Sequence, residues 1–465
     1  MFKASMAALG VALLFPTSKL FSADKPSRPN IILILADDLG YGDVGCYGQK
    51  RIQTPQIDRL AAEGMRFTQC YAGSTVCAPS RCALMTGLHS GHGTVRGNAL
   101  VPLAPEDVTV AEVLKEANYA TALIGKWGLG EPGSTGIPNR KGFDYFFGYL
   151  NQQHAHNYYP DYLWKNQEKV NLAGNVVKNN VATERAQYSH DLFTNQALGF
   201  LDSRKRLTPD KPFFLYLAYT IPHANNERGR AEGNGMEVPS DAPYSGRPWP
   251  QAQKNHAAMI TRLDADVGKL LERLKVLGLD EQTIIFFSSD NGPHKEGGAD
   301  PKFFQSAGAL RGHKRDLTEG GIRVPMIVRW PGKIKAGTVS DQVWAFWDFL
   351  PTAAELAGCK IPSGIDGLSI VPTLLGAGEQ RQHGFLYWEF HEGGSKQAVR
   401  MENWKAIRPR LDAPLELYDV QNDIGETSNV AAQHPDLVAK IEAYLKTART
   451  ESKPWPLQPP RKTGR

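Results

Sequence analysis

The sequence predicts an α/β protein with a large, mainly parallel sheet flanked by helices, followed by a smaller C-terminal antiparallel sheet and helix. Four continuous apolar runs indicate strands that are buried on both faces, as in a parallel sheet. Segments with helical apolar spacing separate these runs, and strand–helix alternation is typical of a sheet covered by helices on both faces. After about residue 383, short strand-like runs follow one another closely, which indicates a separate antiparallel unit.

The first 23 residues are predicted to be a signal peptide. Lys3 precedes an apolar run at residues 4–15 that is too short to span a membrane permanently, and Ser22 and Ala23 suit cleavage after Ala23. Phe21 is bulky for its place before that cleavage site. We therefore expect an exported protein, periplasmic or secreted, with no membrane span elsewhere in the sequence.

The rest of the pattern predicts a large α/β domain at residues 24–382 and an α+β subdomain at residues 383–465. In the large domain we expect strands at 30–36, 121–124, 212–219 and 283–289, and helices at 54–64, 109–117 and 256–277. In the subdomain we expect strands at 384–390, 397–401, 404–408 and 416–420, and a helix at 435–447. Residues 228–253 are predicted to form a long surface loop, and the basic, proline-rich tail after residue 452 is predicted to be loosely attached.

Composition and charge limit the kinds of molecule that the protein is expected to bind. The 465 residues are 41% hydrophobic and 22% charged, as in an ordinary globular protein. The formal net charge of +5 argues against a dedicated nucleic-acid binder and is compatible with anionic substrates. The five cysteines leave at least one unpaired, and the sequence has no cysteine and histidine spacing typical of a zinc site.

Polar residues follow each of the four predicted strands of the large domain. In strand order they are Asp37 and Asp38, then Lys126, then His223, then Asp290 and Asn291. In an open α/β sheet, ligands bind at the edge formed by the carboxyl ends of the strands. The carboxylate and amide oxygens suit a hard cation, Ca²⁺ or Mg²⁺. The alternative is that each acidic pair is an ordinary turn at a strand end.

A second candidate site centres on Cys77. Residues 74–81 are typical of a loop that leads into a helix, with Pro79 at the first helical position and Gly87 at the end. Unpaired N–H groups and the helix dipole favour anions at such an N-terminus, and Arg81 would lower the pKa of the thiol. The alternative is a buried, inert cysteine.

Further cationic groups complete a pocket for a tetrahedral oxyanion. Lys126 and Lys314 would bind the anion, and His223 would transfer a proton. Considered alone, the basic run around Lys314 is typical of a solvated face, and a lone histidine is typical of a structural residue.

These motifs together resemble those of the formylglycine-dependent sulfatases, which belong to the alkaline phosphatase superfamily. They are Cys77-x-Pro79-Ser80-Arg81, Asp37-Asp38, Gly125-Lys126-Trp127, Asp290-Asn291-Gly292 and the stretch at residues 312–325. The resemblance covers nearly the whole chain after the signal peptide.

The resemblance implies a mechanism and its cofactors. A formylglycine-generating maturation enzyme would oxidise Cys77 to formylglycine, whose hydrated aldehyde is the nucleophile. The Ca²⁺ ligands would be Asp37, Asp38, Asp290 and Asn291. The sulfate would be neutralised by Arg81, Lys126 and Lys314, and the leaving oxygen would be protonated by His223.

One position departs from the family pattern. Most members have a histidine two residues after the lysine, where this chain has Gly128, so the base for the closing step is in question. The candidate replacements are His154, His156 and His294, although each is first predicted to bind substrate or to be structural.

The predicted substrate is a sulfated carbohydrate, with an aryl sulfate as the simpler alternative. The likeness to exported bacterial sulfatases favours a galactose or N-acetylgalactosamine unit. His391 is a further candidate for substrate binding, and Tyr158, Tyr159 and Trp164 suit either a sugar site or the core. Two other functions remain: a phosphonate or phosphodiester hydrolase of the same superfamily, and a non-catalytic glycan-binding relative.

Overall fold

A mixed sheet of eleven strands lies at the centre of the computed structural model, which describes residues 28–459. The strands of the large domain are β1 (Asn30–Asp37), β2 (Met65–Tyr71), β3 (Ala120–Lys126), β4 (Tyr145–Tyr149), β5 (Tyr162–Lys165), β6 (Glu168–Asn171), β7 (Val176–Lys178), β8 (Val181–Glu184), β9 (Phe213–Pro222), β10 (Thr283–Ser289), β11 (Arg323–Arg329), β12 (Thr338–Ser340) and β13 (Trp344–Ala345). The strand order is β12-β2-β11-β10-β1-β9-β3-β4-β5-β6, and β13 also pairs with β2. β7 and β8 form a separate hairpin.

The four strands that were predicted from apolar runs are neighbours at the centre of this sheet. Their order is β10-β1-β9-β3, and all four run parallel. In the register of the sheet, Ala36 of β1 lies opposite Ser289 of β10, and Asp37 lies opposite Pro222 of β9. The carboxyl ends of these strands therefore meet at one edge, and the predicted fold class is confirmed.

Helices cover both faces of the sheet. They are α1 (Pro55–Ala62), α2 (Cys77–Thr86), α3 (Val110–Glu116), α4 (Ser189–Leu207), α5 (Asn226–Glu232), α6 (Gln251–Val276), α7 (Pro301–Phe304), α8 (Glu319–Ile322), α9 (Phe349–Leu356) and α10 (Val371–Leu375). Ile32 and Ile34 of β1 share a core with α4 and α6, whereas Ile31 and Leu33 share a second core with α3 and α9. Because alternate side chains of β1 enter two different cores, the whole strand is apolar.

The C-terminal subdomain is an antiparallel sheet with one helix, as predicted. Its strands are β14 (Leu386–Phe390), β15 (Lys396–Met401), β16 (Trp404–Arg408) and β17 (Glu416–Asp419), and its helix is α11 (Pro435–Leu445). One face of this sheet packs on the large domain, where the Trp388 indole donates to the Ala72 carbonyl at 2.9 Å. The other face packs against Ile441 and Leu445 of α11.

Two predictions about loops and tails are wrong. Residues 228–253 are not a continuous loop, because α5 occupies their beginning and α6 starts at Gln251. The tail after residue 452 is attached as far as the structure describes it: Trp455 is buried and its indole donates to the Thr94 carbonyl at 3.0 Å. A Cβ on Gly97 would lie 2.5 Å from the Trp455 ring, so this glycine lets the indole pack closely.

The predicted signal peptide lies outside the described residues. Within residues 28–459, the structure contains no helix with the length and apolar character needed to cross a membrane.

We expect the tail to stabilise the protein through Trp455. Trp455→Ala should lower the free energy of unfolding by about 3 kcal/mol, because it leaves a cavity beside Gly97. Denaturant unfolding measures this loss, with Lys453→Ala as the control, since that side chain is exposed on the same tail. Equal unfolding midpoints for the two variants would contradict the packing described for the tail.

Candidate active site

The candidate site lies at the edge of the sheet where the four central parallel strands end. It is built from buried charged and polar side chains that reach this edge from strands, a helix and a loop. They are Asp37, Asp38, Cys77, Arg81, Lys126, His223, Asp290, Asn291 and Lys314. The structure therefore brings together all the residues that the sequence assigned to catalysis and metal binding.

Cys77, and not Pro79 as predicted, is the first residue of α2, and its side chain is buried within the site. The Cys77 Sγ lies 3.5 Å from the Asp37 Oδ1. Burial and the Asp37 carboxylate raise the pKa of the Cys77 thiol above its usual value, despite the attraction of Lys126 and Lys314. The interpretation of Cys77 as a thiolate activated by Arg81 is therefore wrong. Gly87 ends the helix in a left-handed conformation (φ 72°), as predicted.

The Arg81 side chain binds two carboxylates instead of lying free. Its Nη2 is 2.8 Å from the Asp290 Oδ2 and 3.3 Å from the Asp37 Oδ2. Its Nη1 donates to the backbone carbonyl of Lys126 at 2.7 Å. The Lys126 Nζ in turn donates to the Asp37 Oδ2 at 2.6 Å. Arg81 thus joins the ends of β1, β3 and β10.

The acidic residues hold one another through the backbone as well. Asp38 adopts a left-handed conformation (φ 65°), and its N–H donates to the Asp290 Oδ1 at 3.1 Å. The Asn291 Nδ2 donates to the Asp38 Oδ1 at 2.7 Å. These contacts fix four oxygen-bearing side chains in one place.

The three carboxylates differ in their pKa values. Burial alone would raise the pKa of Asp37 and Asp38, but Lys126 beside Asp37 and Lys314 beside Asp38 hold both below the usual value. Burial and the neighbouring Asp37 raise the pKa of Asp290 to about 7. This difference in pKa is typical of several carboxylates that lie close together in a buried site.

The acidic cluster fits a hard divalent cation. The Asn291 Oδ1 is buried and has no hydrogen-bond partner in the described chain, although a buried acceptor normally has one. Together with one oxygen each from Asp37, Asp38 and Asp290, it offers the all-oxygen donor set that Ca²⁺ prefers. A cation there would also reduce the repulsion that raises the pKa of Asp290.

His223 and Lys314 form a pair beside Asp38. The His223 Nδ1 lies 2.7 Å from the Ala224 carbonyl, which can only accept, so the ring proton is on Nδ1. The Lys314 Nζ lies 3.1 Å from the His223 Nε2 and 2.8 Å from the Asp38 Oδ2. Burial and Lys314 lower the pKa of His223 to about 3, so the ring is neutral and its Nε2 accepts from the lysine.

Two of the histidines predicted to bind substrate lie beside His223. The His156 ring stacks on it with centroids 4.9 Å apart, and its Nδ1 is 2.9 Å from the Glu227 Oε2. The His294 ring is 6.1 Å from the His223 ring, and its Nε2 is 3.0 Å from the Pro222 carbonyl. Substrate binding by either residue remains a prediction.

The other two histidines lie elsewhere. His154 stacks on Tyr162 with centroids 4.4 Å apart, and neither ring nitrogen has a hydrogen-bond partner in the described chain. His391 lies in the C-terminal subdomain, where its Nε2 is 3.1 Å from the Glu389 Oε1 and its Nδ1 is 3.1 Å from the Ser395 Oγ. A role for these two in substrate binding also remains a prediction.

Gly128 is the position where the sequence departs from the family pattern. It follows Lys126 by two residues and has a left-handed backbone (φ 78°). A Cβ on Gly128 would lie 2.1 Å from the Gln152 Nε2, so the Gln152 side chain fills the space that a larger residue would need. The Gln152 Nε2 is buried and has no hydrogen-bond partner among the described residues.

Sequence reasoning missed an ion-pair network behind Lys314. The Glu296 Oε2 lies 3.5 Å from the Lys314 Nζ, and the other oxygen of Glu296 binds Arg315. The Arg315 Nε lies 2.7 Å from the Glu392 Oε2, which connects the site to the C-terminal sheet. Because Glu296 follows Asn291 closely in the sequence, it could have been predicted to lie near the site.

Comparisons with known proteins identify the family of this chain. A family model described as sulfatase matches residues 29–359, and one described as N-sulphoglucosamine sulphohydrolase, C-terminal, matches residues 312–451. N-acetylgalactosamine-6-sulfatase of Rattus norvegicus is 33% identical over 90% of this chain and 80% of that protein. N-acetylgalactosamine-6-O-sulfatase of Bacteroides thetaiotaomicron is 30% identical over 95% of this chain and 98% of that protein.

A solved structure is similar over almost the whole length. It is that of Ps i-CgsB in complex with k-i-k-neocarrahexaose, with a TM-score of 0.79 and 30% identity, covering 93% of this chain and 95% of that chain. The family match spans the strands, the helix and the loop that carry the site residues. The chain belongs to the sulfatase family and is a sulfuric ester hydrolase.

Proposed function

We propose that this protein is exported and hydrolyses sulfate esters of a galactose- or N-acetylgalactosamine-type glycan, using Ca²⁺ and a formylglycine that a maturation enzyme makes from Cys77. The observation that carries the proposal is the placement of Cys77. Its Sγ lies at the start of α2 and 3.5 Å from Asp37, within a cluster of three carboxylates and three cationic side chains. The names of the rat and Bacteroides relatives support an N-acetylgalactosamine unit.

The state of the thiol supports the conversion. A cysteine nucleophile works as a thiolate, but burial and Asp37 raise the pKa of Cys77, so the unmodified residue is a poor nucleophile. Once hydrated, the formylglycine aldehyde supplies a hydroxyl nucleophile and can release sulfate by re-forming its carbonyl.

The cationic side chains would neutralise the sulfate. Lys126 and Arg81 converge on Asp37 from β3 and α2, and Lys314 binds Asp38. Since all three are buried and their charges are fixed in place, they can stabilise negative charge that develops on the sulfate oxygens without rearranging. The Ca²⁺, held by Asp37, Asp38, Asp290 and Asn291, would add charge neutralisation and orientation of the sulfate.

Proton transfer to the leaving sugar oxygen would fall to the Lys314–His223 pair. His223 holds its own proton on Nδ1 and faces the Lys314 ammonium with its free Nε2 at 3.1 Å. The negative charge of a bound sulfate would favour protonation of the His223 Nε2, and the resulting imidazolium can donate that proton to the leaving oxygen. Asp38, 3.5 Å from the His223 Nε2, would stabilise this charge.

We expect formylglycine at position 77 in protein made in a host that has the maturation system. Mass spectrometry of the peptide that contains Cys77 measures the conversion. Cys77→Ala should lower kcat for a sulfate ester at least about 10³-fold, because the nucleophile is lost. Cys82→Ala is the matched control, since this cysteine is also buried in α2. Unmodified Cys77 in a fully active protein would rule out the mechanism.

Calcium should stabilise the folded protein as well as support catalysis. At a free concentration about 100 times its Kd, a ligand that binds only the folded state contributes about 2.7 kcal/mol. Scanning calorimetry should therefore show a higher Tm with Ca²⁺ than with a chelator, and Asp290→Ala should remove the difference. Asp202→Asn, at a surface ion pair with Arg273, should retain it. A Tm that does not respond to Ca²⁺ would speak against the site.

Histidine should not be tolerated at position 128 unless Gln152 is shortened. Gly128→His should lower the free energy of unfolding by about 3 kcal/mol, from left-handed strain and the clash with Gln152. The double variant that also carries Gln152→Ala should recover the part of this loss that comes from the clash. Gln152→Ala alone should leave the free energy of unfolding nearly unchanged. Denaturant unfolding of the three variants checks this, and a Gly128→His variant as stable as the wild type would exclude the clash.

A further inference from the structure

The His156 ring lies against the His223 ring but has no part in the mechanism proposed above. The two rings are nearly parallel, with centroids 4.9 Å apart and an angle of 16° between their planes. The His156 side chain is 17% exposed, so most of it is buried against its neighbours. The His294 ring is more distant from His223, with centroids 6.1 Å apart. Of these two rings, His156 is therefore the one in stacking contact with His223.

One short segment of the chain holds both members of this contact. His223 directly follows β9, and Glu227 lies four residues later, in the first turn of α5. The Glu227 Oε2 accepts a hydrogen bond from the His156 Nδ1 at 2.9 Å. The hydroxyl of Tyr158, two residues after His156, lies 2.8 Å from the Thr220 carbonyl of β9. The chain at residues 156–158 is thus bound to residues that come both before and after His223.

Glu227 determines which nitrogen of His156 carries a proton. Burial alone would raise the pKa of Glu227, but the hydrogen bond from His156 lowers it to about 2, so the side chain is a carboxylate. Because a carboxylate can only accept, the His156 Nδ1 is the donor. The Asn180 Nδ2 lies 3.3 Å from the Glu227 Oε2, and the Arg230 Nη2 lies 2.9 Å from the Oε1. These contacts hold the carboxylate in place, and the carboxylate orients the His156 ring.

His223 needs a contact of this kind when it donates its proton. In the structure its Nδ1 donates to the Ala224 carbonyl, and its Nε2 accepts from the Lys314 Nζ at 3.1 Å. Under the proposed function, the Nε2 carries the proton for the leaving oxygen, and it can then no longer accept a hydrogen bond from the lysine. The contact with His156 involves the face of the ring, so it is available whether or not the Nε2 is protonated.

We infer that His156 and Glu227 are positioning residues that hold the His223 ring in the orientation from which it protonates the leaving oxygen. This inference rests on the proposed function and deepens it, since it assigns the residues that orient the proton donor. Both residues act through His223, and neither needs to contact the substrate for this role.

Sulfate esters that differ in their need for a proton test the inference. In order of increasing basicity of the leaving oxygen, they are 4-nitrophenyl sulfate, phenyl sulfate and N-acetylgalactosamine 6-sulfate. A nitrophenolate leaves readily without a proton, whereas a sugar alkoxide does not, so only the poorer leaving groups require a well-oriented acid. His156→Ala should lower kcat/KM about tenfold or more for N-acetylgalactosamine 6-sulfate, by less for phenyl sulfate and by about twofold at most for 4-nitrophenyl sulfate. Since the two aryl esters are similar in shape, a difference between their losses reports proton transfer and not binding.

A conservative variant and a double variant locate the effect in the stacked pair. His156→Phe retains an aromatic ring beside His223 and should recover most of the loss for phenyl sulfate. Glu227→Gln should lower kcat/KM in the same order of substrates, but it should have no further effect in His156→Phe, which has no ring N–H to donate to position 227. His434→Ala is the control, because this half-buried histidine packs on Trp404 in the C-terminal subdomain. Its kcat/KM should equal that of the wild type for all three esters.

The outcomes separate the inference from the proposed function. Hydrolysis of none of the three esters by the wild type would overturn both. Hydrolysis of the sugar ester by the wild type, with equal losses for the two aryl esters in His156→Ala or with no loss at all, would overturn the inference alone. Equal activity of His156→Phe and His156→Ala on phenyl sulfate would also overturn it, because the stacked ring would then have no effect.

Discussion

The structure depends on positively charged side chains that compensate the negative charge at the edge of the central sheet. Parallel pairing of β1 with β9 and β10 places the acidic residues that end β1 and follow β10 side by side, where they are fully buried. Buried carboxylates are tolerated only when they are paired. Arg81, Lys126 and Lys314 supply the pairing, and each comes from a different element. The site residues are therefore also structural residues, because removing one partner leaves a buried charge.

The same crowding determines what kind of nucleophile position 77 can supply. A helix N-terminus normally lowers the pKa of a cysteine, but here burial and the 3.5 Å contact with Asp37 have the opposite effect. An environment that is rich in carboxylates suits a metal ion and an uncharged hydroxyl nucleophile better than a thiolate. The pKa of the Cys77 thiol thus depends on its burial and on the end of β1 more than on the helix to which it belongs.

Strong periodic signals explain which parts of the fold could be predicted. The strand at residues 283–289 was placed without error, because its continuous apolar run has turn residues directly after it. β11 was not predicted, since its short apolar centre is flanked by Arg323 and Arg329. Arg323 is paired with the nearby Glu319, but the charge of Arg329 is balanced by Asp280, which is distant in sequence. The attachment of the tail depends on Trp455 fitting against Gly97, a contact between residues far apart in sequence. Only the folded chain contains that information.

The candidate site, like the fold, could be predicted only in part. Its members could be predicted because each follows a strand or lies in a recognisable motif, but their pairings could not. Arg81 was expected to act on the thiol, and the structure shows it bound to Asp290 and Asp37. Such pairings depend on register, which shifts between Leu35 and Asp37 where β1 meets β9. A linear sequence does not show that shift.

A single side chain connects α5 to the ring that the proposed function assigns to proton transfer. His156 is held by Glu227 of α5 and stacks on His223. Gly128 has no ionisable side chain, and Gln152 fills the space beside it with an amide, so this position adds no group that can move a proton. Under the proposed function, the orientation of the ring that protonates the leaving oxygen thus depends on an element outside the cluster of charged residues as well as on Lys314.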